Sequence, residues 1–361
     1  VDLTQDAEFE NVTGLTHEEL LSNFKLHLDE MASHNNETFH TLVQRIKQRY
    51  NGYCFSTNES DFTYRGLYNF HSVLSCLRNK KVENYWHATQ DAEHRSLFDR
   101  HPSDENRRRT LTHFDNITIS RRSLERVNHV DHSIPMVVYM VLNGYLTFRG
   151  YDPVSRSFVV GFPNEEVREK FVEEVLQPLP IGKMSTDLIF KKCKELKESL
   201  LNEKWQQFIG QLNIMAFKPT TGEGSVNASK NEYIDRVIRI FQVCDIECLF
   251  NYNFYHDNYS LAGTIDLIAK DPDRNVYGYV FEFEWGKTAK FAADKLLKFV
   301  KIQTFAAELW SQKIYLLAVN FDHEGGRINE WIALTYMNGN CEDLQASHPH
   351  YVEMYSHIYS K

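Results

Sequence analysis

The sequence has few of the features that mark secreted, membrane or zinc-binding proteins. Its six cysteines are scattered, none forms a CxxC pair, and no His or Cys pair complements Cys244 and Cys248. Free thiols are typical of a reducing compartment, and zinc is not expected. No apolar run reaches the length of a membrane span, and the acidic, polar residues 2–6 are not typical of a signal peptide. We therefore predict an intracellular, cytoplasmic protein without a membrane partner.

Basic residues are in deficit. Lysine and arginine total 40 against 49 aspartates and glutamates, which gives a net charge of −9 at pH 7. Because affinity for nucleic-acid phosphates comes mainly from lysine and arginine, a broad nucleic-acid-binding face is not expected. The local basic clusters are residues 107–109, the lysines of 191–197, and Lys287, Lys290, Lys295, Lys298 and Lys301. Such runs are more often solvated helix faces than binding sites.

Several catalytic motifs are missing. The pattern G-x-x-x-x-G-K-[ST] does not occur, because Gly182-Lys183 lacks both the earlier glycine and the following Ser or Thr. There is no HExxH zinc motif and no Gly-x-Ser-x-Gly nucleophile elbow. ATP is therefore not expected as a cofactor.

Length and punctuation predict two domains. A chain of 361 residues, 42% of them hydrophobic, is too long for one ordinary core. Residues 1–180 are predicted to be helix-rich, beginning with a capping box at 16–19. Two prolines and a glycine within 178–182 predict a boundary between 1–180 and 181–361. The first residue is Val1 rather than Met, as in an excised fragment or a processed product.

The second half is predicted to be an α/β domain. One long helix is expected at 185–216 and another at 231–243. In the first half, Asn51-Gly52 predicts a turn. Strand patterns and a further helix alternate after residue 246, as in a sheet covered by helices. The expected strands are 247–255, 261–269, 276–284, 314–321 and, last, 330–337, with a helix at 288–311.

Acidic residues lie in the predicted hairpin formed by the second and third of these strands. Asp266 lies in an apolar strand, and Glu282 and Glu284 alternate with Phe281 and Phe283. Since side chains alternate along a strand, the two glutamates should project from one face. Carboxylates on one face, beside another on the neighbouring strand, form an oxygen pocket suited to Mg²⁺ or Mn²⁺. A bound divalent ion can activate water and stabilise the charge on a phosphate under attack.

Five segments of the first half follow one another along the chain: Gly52-Tyr53, 67–74, 84–89, 144–146 and 161–168. They resemble the C-terminal part of the AAA-ATPase-like family of bacteria and their symbionts. In that family this part is followed by a nuclease domain of the PD-(D/E)XK superfamily, which residues 184–340 resemble. The resemblance implies a helical, winged-helix-like module followed by a restriction-endonuclease-like domain with a mixed sheet flanked by helices.

The resemblance also implies roles for the acids. Asp266 and Glu282 would bind the metal, and Glu232 would be the helical glutamate that assists them. The family signature ends E-F-K, whereas this chain has Glu282-Phe283-Glu284, so Glu284 stands in the lysine's place. Such a glutamate acts as a general base or second metal ligand in some restriction endonucleases, and it equally fits decay of the site. A second departure is Phe299, where relatives often have Gln.

Each acid also has an ordinary structural interpretation. Glu232 lies near a helix start, where a carboxylate favours the helix dipole. Glu284 fits a solvated residue at a strand end. Asp266 and Glu282 are harder to explain structurally, because a charge in an apolar strand is costly unless it is paired or metal-bound. Lys287 is the candidate for the missing positive charge, although an exposed surface lysine is its simpler interpretation.

Two functions follow from these patterns. The first is Mg²⁺- or Mn²⁺-dependent hydrolysis of DNA by residues 181–361, with Asp266, Glu282, Glu232 and Glu284 in the site. The second is a catalytically degenerate nuclease-like module that docks a protein partner, as in host-manipulation or toxin/antidote-type factors delivered into a host cell. The lost lysine, Phe299 and the acidic net charge favour the second function.

Overall fold

The protein has a mixed α/β architecture. The computed structural model describes residues 14–56, 62, 64–86, 109–125, 135–177, 179–217, 229–255, 261–271, 273, 276–299, 313–322, 327–337 and 340–355. The chain divides into two compact units between Glu174 and Val175, and a short segment ending at Leu111 belongs to the second. None of the described helices is long and apolar enough to cross a bilayer.

Short helices and small sheets make up the first half of the chain. The helices are α1 (His17–Asn23), α2 (Lys25–His34), α3 (Phe39–Tyr50), α4 (Phe70–Asn79), α5 (Leu111–Phe114), α6 (Arg121–Glu125), α7 (Met136–Leu142) and α8 (Glu165–Leu176). The strands are β1 (Asn51–Tyr53), β2 (Leu67–Tyr68), β3 (Ile117–Ser120), β4 (Thr147–Asp152) and β5 (Ser157–Gly161). β1 pairs with β2, and the other three form a sheet in the order β3-β5-β4.

The predicted capping box begins α1. The Glu19 N–H donates to Thr16 Oγ1 at 3.2 Å, and the Thr16 N–H donates to Glu19 Oε2 at 2.9 Å. These bonds satisfy two of the amide groups that a helix start leaves without helical partners. The helix that this box begins is short, because α1 ends at Asn23 and only Phe24 separates it from α2.

The turn expected at Asn51-Gly52 is wrong, because both residues lie in strand β1. Gly52 has φ +137°, and a Cβ atom there would collide with the backbone carbonyl of Pro163. The glycine therefore serves a close backbone approach and not a turn.

The segments that suggested the family resemblance come together in the first unit. Besides the contact between Gly52 and Pro163, the Tyr53 hydroxyl donates to the Gly144 carbonyl at 3.2 Å. The Trp86 N–H donates to the buried carboxylate of Glu166 at 2.8 Å. These contacts connect glycines, aromatic residues and an acid of those segments within one unit.

The second unit is a three-layer structure around one sheet. Its helices are α9 (Thr186–Leu201), α10 (Trp205–Ala216), α11 (Lys230–Val243), α12 (Ala289–Phe299) and α13 (Pro349–Tyr355), preceded by a 3₁₀ turn at Pro180–Lys183. Its strands are β6 (Cys248–Tyr255), β7 (Leu261–Asp271), β8 (Val276–Trp285), β9 (Lys313–Phe321), β10 (Ile328–Met337) and β11 (Asn340–Ala346). The strand order is β11-β10-β9-β8-β7-β6, and β8 and β9 are parallel while the other neighbours are antiparallel.

The two faces of this sheet differ in composition. Small and aliphatic side chains of α12, including Ala292 and Leu296, pack on Val280 and its neighbours on one face. On the other face Phe208 of α10 and Phe241 of α11 pack against Phe281. The predicted alternation along β8 is confirmed, since Phe281 and Val280 belong to opposite layers.

Two element predictions in this unit need correction. The single helix expected at 185–216 is broken into α9 and α10, and Glu203 between them has a positive φ of 56°. The sheet also does not end at 330–337, because β11 pairs with β10 as an additional edge strand and α13 follows it. The last residues predicted for the helix at 288–311 lie outside the described residues.

Helix α12 is fixed to the rest of its unit by polar contacts. Glu330 Oε2 accepts the Ala289 N–H at 3.0 Å and the Tyr351 hydroxyl at 2.8 Å. The Tyr355 hydroxyl donates to Asp294 of α12 at 2.8 Å. Strand β10 and helix α13 thus hold both the start and the middle of α12.

The close approach at Gly52 gives a stability prediction. We expect Gly52→Ala to lower the free energy of unfolding by about 2–4 kcal/mol, because alanine disfavours this φ and its methyl group collides with backbone. Gly150→Ala, in the same unit, meets only a contact of 4.0 Å to Val159 and should change it by less than about 1 kcal/mol. Thermal and urea denaturation followed by circular dichroism measure both. Equal stabilities for the two variants would contradict the prediction.

Candidate functional site

Asp266 and Glu282 lie where strands β7 and β8 separate. The pairing of these strands runs from Asp271–Val276 to Leu267–Phe281. Beyond that point β8 continues beside β9, and β7 continues beside β6. Asp266 and Glu282 are the next residues on their strands, and they are 8% and 0% exposed.

A backbone contact fixes the Asp266 carboxylate at this separation. The Phe283 N–H, just past the end of the β7–β8 ladder, donates to Asp266 Oδ2 at 2.8 Å. A buried amide group without a partner is costly, so the aspartate satisfies a donor that the parted strands leave open. The bond also holds Asp266 beside the glutamate that precedes Phe283.

Two lysines neutralise these carboxylates. Lys230 Nζ lies 2.7 Å from Asp266 Oδ2 and 3.9 Å from Glu282 Oε1. Lys295 Nζ, from α12, donates to Glu282 Oε1. Buried carboxylates are stable only when they are paired, protonated or metal-bound, so the ammonium groups account for how both acids tolerate burial.

Glu282 keeps one oxygen without a hydrogen-bond partner. Its Oε2 atom is buried and no hydrogen bond to it occurs in the described part of the protein. Burial, followed by the nearby charge of Asp266, raises the pKa of Glu282 to about 8, although Lys295 opposes the shift. The site therefore favours anything that neutralises Glu282 further, such as a proton or a cation.

Glu284 lies two residues further along β8 and is half-buried. Its Oε2 atom forms an ion pair with Lys287 Nζ at 3.2 Å. Lys287 therefore contacts Glu284, while Lys230 and Lys295 contact the Asp266–Glu282 pair. The sequence grouped Glu284 with these two acids, and the structure gives it a separate ion pair at the rim.

Glu232 has a structural partner of its own. Its side chain accepts the Ser229 N–H at 2.9 Å, and Ser229 Oγ accepts the Glu232 N–H at 3.4 Å, which forms a capping box at the start of α11. Glu232 is exposed, and Lys230 is the residue of the same helical turn that contacts Asp266. The ordinary interpretation of this glutamate, as a helix-start residue, describes its observed contacts.

Sequence reasoning missed both site lysines. Nothing in the sequence singles out Lys230. For Lys295 a signal existed, because it lies one turn from Ala292 and one turn from Phe299, which are both buried, so it borders the inner face of α12. The lysine run predicts a solvated face, and this prediction is wrong for Lys295, which contacts Glu282.

Phe299 packs closely on strand β7. A Cβ atom at Gly263 would approach Cε1 of the Phe299 ring to 2.5 Å, so the ring lies directly on the glycine backbone. Lys295 Nζ lies 5.7 Å from the centroid of the same ring. Phe299 thus helps to position the lysine that contacts Glu282.

The donor set fits a magnesium-type site more closely than a zinc site. In the part of the chain that the structure describes, no three His, Cys, Asp or Glu side chains are grouped closely enough to hold a metal. Zinc needs about three or four protein ligands, whereas Mg²⁺ commonly uses one or two carboxylates together with waters and substrate phosphates. Asp266 and Glu282 supply such a pair, and Lys230 lies at the position that a cation would share with them.

Comparisons of the chain with protein-family models, curated proteins and solved structures found no match. The family resemblance therefore stays a prediction, and the functional interpretation rests on the geometry of the second unit.

The buried glutamate predicts a pH dependence of stability. Because the pKa of Glu282 rises from 4.5 to about 8 on folding, the folded protein binds more protons than the unfolded chain between these values. The stability that Glu282 contributes to the folded state is therefore fully present below pH 4.5 and is lost as pH rises through about 8. For one proton the slope is at most about 1.4 kcal/mol per pH unit.

Urea denaturation in EDTA between about pH 5 and about pH 8 measures this slope. Glu282→Gln, which cannot ionise, should flatten it. Glu198→Gln, at a 59% exposed side chain, should retain the wild-type slope. A Glu282→Gln profile parallel to that of the wild type would contradict the assignment.

Proposed function

We propose that the second unit is a PD-(D/E)XK-type domain that hydrolyses DNA phosphodiester bonds with Mg²⁺ or Mn²⁺. The observation that carries the proposal is the meeting of two buried carboxylates, Asp266 and Glu282, at the separation of β7 and β8. The order of the elements and the mixed sheet covered by helices on both faces agree with it. In this proposal the first unit is a winged-helix-like module of the AAA-ATPase-like type that neither binds nor hydrolyses ATP.

In this scheme Asp266 and Glu282 hold the metal. The ion, when bound, supplies a more acidic water and stabilises charge on the phosphate. Phe283 fixes Asp266 through its backbone N–H, and the unpaired Glu282 Oε2 offers an acceptor that is costly to leave empty. Lys230 would have to withdraw from the carboxylates to make room.

Lys295 takes the part of the missing signature lysine. It reaches Glu282 from α12, so its charge arrives at the site from a helix and not from the strand position held by Glu284. A lysine in this place can neutralise the phosphate that approaches the metal. Glu284, which is paired with Lys287, serves as a proton acceptor at the rim of the site. Glu232 acts indirectly, because it caps the helix that carries Lys230.

A second function is favoured by the lysines themselves. Two ammonium groups already balance the two carboxylates, which is what a site without metal requires. On this alternative the domain is a degenerate nuclease that docks a protein partner, for example an antidote-like protein. It would act in the cell that makes it or in a host cell into which it is delivered.

A nuclease assay tests the leading proposal. Supercoiled and linear DNA are incubated with the protein and Mg²⁺ or Mn²⁺. We expect Asp266→Ala to reduce cleavage at least about 100-fold, because it removes a metal ligand and the acceptor of the Phe283 N–H. Asp273→Ala, in the exposed turn between the same strands, is the matched control and should retain activity. Cleavage unchanged by Asp266→Ala would end the assignment.

Calorimetry with Mn²⁺ separates the two functions and tests the position of Lys230. The nuclease should bind Mn²⁺ in the micromolar range, whereas a docking module should give no heat. Lys230→Met should tighten binding about tenfold, because an ammonium group then no longer competes for the same oxygens. Lys194→Met, which removes a 79% exposed lysine of α9, should leave the affinity unchanged. Weaker binding by Lys230→Met would show that this lysine assists the metal.

A further inference from the structure

Helix α12 carries an exposed aromatic ring one helical turn from Lys295, which contacts Glu282. Phe291 is 56% exposed, whereas Ala289, Ala292 and Ala293 on the inner side of the same helix are fully buried. A single exposed ring needs no explanation by itself. Its neighbours make it informative, because they connect the ring to the candidate site.

Lysines that contact the site flank Phe291. Lys287 Nζ lies 5.2 Å from the centroid of the Phe291 ring and 3.2 Å from Glu284 Oε2. One turn further along α12, Lys295 contacts Glu282. The ring therefore lies between two lysines, each of which reaches a carboxylate of β8.

The same helix face continues away from the acids with another cation. Lys298 follows Lys295 by one helical turn and is exposed. Lys287, just before the start of α12, precedes these residues in the same row, which we call the α12 stripe (Lys287, Phe291, Lys295 and Lys298). Cations alternate here with an aromatic ring, as they do where proteins bind single-stranded nucleic acids.

We propose that the α12 stripe binds unpaired nucleotides of a DNA strand and leads that strand to Asp266 and Glu282. The inference rests on the proposed nuclease function and names its substrate class. The lysines contact the phosphates, and Phe291 stacks on a base. In an intact duplex the base faces are covered by neighbouring base pairs, so the ring can stack only on an unpaired base. The substrate is therefore single-stranded DNA or a duplex with an unpaired end.

Charge complementarity selects this occupant. The chain carries a net charge of −9, so nucleic acid is repelled by most of its surface. A narrow row of cations beside a site suited to phosphate chemistry suits one flexible strand better than the broad face of a duplex.

Fluorescence anisotropy tests the proposal with the full chain in EDTA, so that no strand is cut. The probes are a labelled oligothymidine and a labelled blunt-ended duplex of two annealed strands, which contains no unpaired nucleotides. We expect Phe291→Ala to weaken oligothymidine binding about 5- to 100-fold and to leave the duplex nearly unaffected, as loss of one stacked base requires. Phe291→Trp should restore single-strand binding. Phe190→Ala, at a 39% exposed ring of α9, should change neither affinity.

The outcomes distinguish failure of this proposal from failure of the proposed nuclease function on which it rests. Equal losses for both probes, or no loss for either, overturn the stacking role of Phe291, while cleavage that depends on Asp266 would still support the nuclease. Absence of any DNA binding or cleavage overturns both. Because Phe291 is exposed, we expect Phe291→Ala to have the same melting temperature as the wild type. An unchanged melting temperature shows that a selective loss of single-strand binding is not caused by unfolding.

Discussion

The second unit depends on the accommodation of two carboxylates side by side inside an apolar sheet. Such a pair repels itself and loses its hydration, so the fold must bring cations and donors to it. The cations come from opposite layers, with Lys230 at the start of α11 and Lys295 in the middle of α12. The donor comes from Phe283, where the ladder of β7 and β8 ends. Helices on both faces of the sheet are therefore tied electrostatically to one point.

The hydrophobic layers make this arrangement specific. On one face aromatic rings of α10 and α11 pack against Phe281 and fix the position of β8 relative to these helices. On the other face small residues of α12 let that helix lie close enough for a lysine to reach Glu282, and Phe299 contacts β7 where Gly263 has no side chain. Packing thus sets the distances on which the charge balance relies.

The fold of the second unit was predictable where its patterns are strong. The alternation of apolar residues predicts the two strands that carry Asp266 and Glu282. The cost of a charge in an apolar strand singles out these two acids. The edge strand β11 was missed, because its sequence is mostly polar and, among the described strands, it pairs only with β10. The break between α9 and α10 occurs without proline or glycine. Contacts between distant residues, such as Lys230 with Asp266, leave no local pattern at all.

The two tyrosines of α13 have a practical consequence. Tyr351 supports the glutamate that caps α12, and Tyr355 holds Asp294 in the middle of α12. Recombinant versions that end before α13 would lose both hydrogen bonds. Helix α12, and with it the position of Lys295 beside Glu282, would then be less well fixed. An expression design for the second unit should therefore retain the sequence through Tyr355 and place any purification tag beyond it.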